Sequence, residues 1–97
     1  MRKYRLTLLF KEINNRLIKL NQELTYLCEN VRDGNRKISF RNIKIEAERI
    51  SENVYTLSKR ARKIYEAIYG KDSYSGNTLQ IHETIDSCFD KIYYLLG

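Results

Sequence analysis

The sequence predicts an all-α fold, an antiparallel three-helix bundle with a hairpin of two long helices and a shorter third. Three observations point there. The 97 residues contain no proline, where an average chain of this length carries about five. Apolar residues recur at steps of three and four in two long runs without a slip. Glycines fall where those runs stop.

The first run is Leu6, Phe10, Ile13, Leu17, Leu20, Leu24, Leu27 and Val31. Alternating steps of four and three keep every member on one helical seam, so a helix is expected over about residues 4–32. Gly34 comes next and suits the left-handed conformation that closes a helix. The second run is Phe40, Ile43, Ala47, Ile50, Val54, Leu57, Ala61, Ile64 and Ile68, predicting a helix over about 39–69. Ser39 is its expected N-cap, Ile38 and Ile43 stand at staple spacing, and Gly70 stops it. Residues 71–78 are polar and turn-rich, with Asn77 or Thr78 as the expected cap of a third helix. Ile81, Ile85, Cys88, Ile92 and Leu95 define that helix over about 78–96. With so short a link between the first two helices, they fold back antiparallel. Facing residues should have numbers that sum to about 72.

Composition bounds the rest. At 42% apolar and 31% charged, the chain is too apolar for disorder and has no run near the ~20 apolar residues of a membrane span. Residues 1–97 are expected to form one helical-bundle domain. Apolar residues 6–10 come after a basic start but are interrupted by Lys11 and Glu12, short of a signal-peptide core. Two cysteines are too few for a disulfide scaffold. Cys28 and Cys88 should lie about 20 Å apart, beyond bridging reach. Free thiols and a cytoplasmic location are expected.

Net charge is +6 and the pI about 9.4. Residues 1–71 hold 17 basic and 8 acidic groups, whereas 72–97 hold 1 and 4. A basic body beside an acidic C-terminal helix suits an anionic partner. Starting near the level of residue 4, the third helix should run out near residue 22 and leave Leu24, Leu27, Val31, Phe40, Ile43 and Ala47 uncovered at the hairpin tip. Arg32, Arg36, Lys37, Arg41 and Lys44 would form a basic rim. An apolar centre with a charged rim is a common interface design. The expected function is therefore non-catalytic protein–protein binding, as an adaptor, inhibitor or regulator, to a partner with an acidic surface. Self-association as a homodimer through the same tip is its nearest variant. The alternative is a nucleic-acid accessory role using Arg2, Lys3, Arg5, Lys59, Arg60, Arg62 and Lys63, with Tyr4, Tyr55, Tyr65 and Tyr69 near enough to stack on bases.

Nothing in the sequence proposes catalysis, a metal or a cofactor. His82 is the sole histidine and is expected at the surface beside Asp86. One histidine and two distant cysteines cannot supply a four-ligand zinc site, and neither thiol lies at dyad spacing from His82. Carboxylates occur in helical i,i+4 partnerships such as Glu12 with Arg16, the pattern of a solvated face.

Overall fold

The computed structural model describes residues 2–34, 38–75 and 79–97. Three helices, α1 (Arg2–Arg32), α2 (Phe40–Tyr69) and α3 (Gln80–Leu96), pack against one another as a bundle of 50 × 23 × 17 Å. A 3-10 turn, Ser73–Ser75, lies between α2 and α3. Among the described residues there is no strand.

The helices end where the local chemistry places their ends. Gly34 closes α1 at φ 64°, its N–H donating to the Val31 carbonyl. The Ser39 hydroxyl accepts from the Asn42 N–H at 3.2 Å, satisfying one of the unpaired donors at the start of α2. Gly70 ends α2 at φ 110°, a conformation L side chains resist, and donates to the Glu66 carbonyl at 2.8 Å. Leu79 precedes α3 without a side-chain cap; the expected caps Asn77 and Thr78 lie outside the described residues.

The core is built from the predicted seams. Ile13, Leu17, Leu24 and Leu27 of α1 meet Ile43, Ala47, Ile50, Val54, Leu57 and Ala61 of α2. The third helix contributes Ile81, Cys88, Ile92 and Leu95. Leu17, Leu24, Ile50, Val54 and Ile92 are among the fully buried side chains, and each large one is worth about 1.5–3 kcal/mol relative to exposure. Phe40 departs from its seam and is 70% exposed. By the 72 rule its level is that of Arg32, the last residue of α1, so little of that helix is left to face it.

The third helix sits higher than the sequence suggests. The Cys88 thiol reaches the Leu17 carbonyl at 3.8 Å, and the Lys91 carbonyl lies 3.9 Å from the Cys28 sulfur. Tyr94 shares a cleft with Cys28 and Arg32, so α3 climbs to the last turn of α1 rather than stopping near residue 22. The cause is the link. Tyr74, in the 3-10 turn, is buried with its ring 5.7 Å from Tyr65 and 4.5 Å from His82, while Tyr65 itself packs on Phe10 at 5.4 Å. This aromatic cluster closes the lower end of the bundle and folds the link back up it. The helix therefore begins near the level of Phe10 rather than of Tyr4.

Candidate docking site

The raised third helix changes what the tip can offer. Leu24, Leu27, Ile43 and Ala47 are buried within the single chain and Val31 is half-buried, so the broad apolar tip expected from the sequence is largely closed. What remains is a cleft of about 530 Å³ whose lining includes Val31, Ile38, Phe40 and Ile43. Of the rim, Arg32, Arg41 and Lys44 are exposed, with Arg32 lying 3.8 Å from Asp33. Arg36 and Lys37 lie outside the described residues.

A larger open surface lies along the flank of the hairpin that α3 does not cover. Three clefts of about 390, 390 and 640 Å³ adjoin one another between α1 and α2. The first two share Arg16 and Arg60 as walls, and the second and third share Lys19 and Glu23. They form one trough from Leu9 to Leu27, about 27 Å long at the helical rise. Its lining obeys the expected register: Leu9 shares a cleft with Lys63, Glu12 with Arg60, Lys19 with Asn53, Glu23 with Arg49 and Tyr26 with Glu46. The floor is apolar, with Leu9 exposed, Leu20 and Ile64 half-buried, and Ile13 and Leu57 below.

The walls carry five cations, Arg16, Lys19, Arg49, Arg60 and Lys63, against the carboxylates of Glu12, Glu23 and Glu46; the cations dominate the two lower clefts, and Glu23 and Glu46 outnumber Lys19 in the upper one. Arg49 is engaged, with its guanidinium donating to the Glu46 carboxylate at 2.8 and 3.2 Å. That hydrogen bond, with the charges of Glu46 and Glu23, holds the guanidinium above its ordinary pKa. Among the described residues, Arg16, Lys19, Arg60 and Lys63 have no carboxylate within ion-pair distance. Glu12 lines the trough beside Arg16 and Arg60, but the i,i+4 pair expected between Glu12 and Arg16 does not form.

The basic cluster at 59–63 is split by its own helix. Arg62 turns to Glu66 at 3.0 Å, and Lys59 lies over the Tyr55 ring at 4.3 Å. Of the cluster, Arg60 and Lys63 face the trough. At the lower end, Arg2, Lys3 and Arg5 are exposed, and Lys3 stands 5.7 Å from the centroid of Tyr69. Of the residues expected to bind nucleic acid, Arg60 and Lys63 thus line the trough, Arg62 is paired with Glu66, and Lys59 and Lys3 lie over tyrosine rings. Arg16 and Lys19, which no run of basic residues marks in the sequence, complete the trough instead.

On the opposite flank α3 exposes Glu83, Asp86, Asp90, Tyr93 and Tyr94, of which Asp90 and Tyr94 also line the cleft towards α1 beside Arg32 and Lys91. Its one cation, Lys91, turns inward: the ammonium donates to Asn21 Oδ1 at 2.9 Å and to the Ser87 hydroxyl at 2.7 Å. His82 is not the surface partner of Asp86 but half-buried, its Nε2 3.1 Å from the Tyr74 carbonyl. A carbonyl only accepts, so Nε2 carries the proton there. Both cysteines are free thiols. Burial pushes the Cys88 thiol up to about 11 and raises Cys28 as well, with Lys91 opposing in each case; neither has the lowered pKa of a nucleophile. Among the described residues no group of histidine, cysteine, aspartate or glutamate could hold a metal ion, and no helix is long and apolar enough to cross a membrane. Comparison with protein-family models, with curated proteins and with solved structures finds no match to this chain.

Proposed function

We propose that this chain is a non-catalytic docking protein that binds an acidic amphipathic helix of another protein in the trough between α1 and α2. The observation that carries the reading is the set Arg16, Lys19, Arg60 and Lys63. Among the described residues these four cations have no ion-pair partner, and they surround a floor that includes Leu9 and Leu20. A helix laid in such a groove puts its apolar stripe on the floor and its flanking carboxylates against the cations. Each exposed ion pair adds only about 0.2–1 kcal/mol. The apolar floor therefore supplies most of the grip, and the cations select the partner and its orientation. Phe40, beyond the upper end of the trough, is a further aromatic anchor of the kind interfaces favour. Occupancy of this groove fits an adaptor, inhibitor or regulator of a larger partner.

The test is fluorescence anisotropy with a synthetic helix carrying leucines on one face and glutamates along both flanks. That helix should bind, progressively more weakly as salt rises. A version with glutamine in place of glutamate should bind far less. Arg16→Glu with Arg60→Glu should abolish binding while the circular dichroism spectrum stays helical. Equal binding of the two helices would remove the proposal, as would capture of a random oligonucleotide in preference to the acidic helix.

A further inference from the structure

We infer that the trough of one copy takes the outer face of α3 from a second copy, so that the chain associates head to tail. This rests on the trough being the docking site and names an occupant that the molecule itself carries. The outer face of α3 has the charge that the four cations call for, with the rings of Tyr93 and Tyr94 in place of an apolar stripe. Glu83, Asp86 and Asp90 stand on one side of the helix, none of them in an ion pair among the described residues, with Tyr93 and Tyr94 exposed beside them. The sole cation of α3, Lys91, holds its ammonium in hydrogen bonds with Asn21 and Ser87; it and Arg32 line the cleft beside Asp90, while Glu83 and Asp86 have no cation of their own helix to offset them.

Length matches as well as charge. The 17 residues of α3 span about 25 Å, and the trough from Leu9 to Leu27 is about 27 Å long. Three carboxylates meet the four cations Arg16, Lys19, Arg60 and Lys63, which outnumber Glu12 and Glu23 in the two lower clefts, while the two tyrosines provide ring surface for the leucine floor. The net charge of +6 opposes the approach of two copies. Beyond the Debye length of about 8 Å at physiological salt that repulsion is screened, whereas pairs in contact are screened less.

The geometry also fixes the kind of assembly. Trough and α3 face lie on opposite flanks of the bundle, so a copy whose trough is filled still presents a free α3, and its neighbour still presents a free trough. Such a heterologous contact extends into a stack or closes as a ring; it does not end at a two-fold dimer.

The experiment is sedimentation velocity over a concentration series at moderate salt. The wild-type chain should grow in mass beyond a dimer as concentration rises and return to monomer at high salt. Arg16→Glu with Arg60→Glu, and separately Asp86→Lys with Asp90→Lys, should each leave a helical monomer, because each makes the two flanks alike in sign. Mixing the two variants should restore assembly, which a merely structural defect would not do. A wild-type chain that stays monomeric throughout overturns the inference, as does assembly that halts at a dimer or a mixture that fails to reassemble. If the wild type is monomeric yet still binds the glutamate-flanked synthetic helix, only the self-assembly is wrong. If it binds neither, the docking reading falls with it.

Discussion

The two flanks of α1 treat charge in opposite ways. Towards α3 the helix is sealed: the Leu17 carbonyl meets the Cys88 thiol, and Asn21 Oδ1 takes a hydrogen bond from the Lys91 ammonium. Towards the open side the same helix raises Arg16 and Lys19 beside Arg60, with no carboxylate within ion-pair distance among the described residues. A lysine drawn into a half-buried seam must be met by oxygens, because an unsatisfied charge there is costly. An exposed arginine needs no partner for folding, since water solvates it. Cations left together on the open flank therefore cost the fold little and stay available to a ligand. The sealed flank stabilises the chain; the open one is the flank on which the proposed docking depends.

This contrast can be broken at either flank, and the largest effect lies on the sealed one. Leu17→Ala removes a fully buried side chain at the junction with α3 and should cost about 2–5 kcal/mol in urea unfolding. The molecules that remain folded should bind the acidic helix as before. Lys91→Met removes the ammonium and leaves Asn21 Oδ1 with the Ser87 hydroxyl beside it at 3.4 Å; a loss of about 1–2 kcal/mol is expected. A stabilised Lys91→Met chain would mean that the polar knot does not serve stability.

A third effect depends on pH. The Cys88 thiol is pushed up to about 11 when folded, against an unfolded value of about 8.5. Folding therefore favours the protonated thiol. Its contribution is complete below about pH 8.5 and is lost as pH rises from there towards 11. Cys28 is raised in the same direction. Unfolding midpoints measured across this range should fall, and Cys88→Ala should flatten the fall. The smallest stability change belongs to the open flank: Arg16→Ala or Lys63→Ala should alter unfolding by no more than about 0.5 kcal/mol while weakening the acidic helix in anisotropy. A large stability loss at either position would erase the distinction between the flanks.

The sequence made the hairpin legible because its spacing is a ruler. Steps of three and four located the seam residues, and the 72 rule, extended from the apolar to the charged positions, accounts for Glu12 beside Arg60 and Glu23 beside Arg49. The height of α3 was not legible, since heptad spacing says nothing about where the chain between Gly70 and Leu79 travels. Burial of Tyr74 between Tyr65 and His82 set that height, and with it the covering of Leu24, Leu27 and Ile43. The trough was half legible. Arg60 and Lys63 stood out because they sit in a run along the chain, but Arg16 and Lys19 are isolated in sequence and join them only by helical level. Applying the same register to the cations as to the apolar residues would have found all four.

One consequence concerns how the molecule meets a plane. A body 50 Å long and 23 Å wide that is positive along one side and negative along the other has an electric moment across its axis. On a negatively charged chromatography bead or on mica it should lie on its side, trough downward, touching along its length instead of standing on an end. Its elution from such a bead should then require more salt than that of a protein of equal net charge spread evenly over its surface.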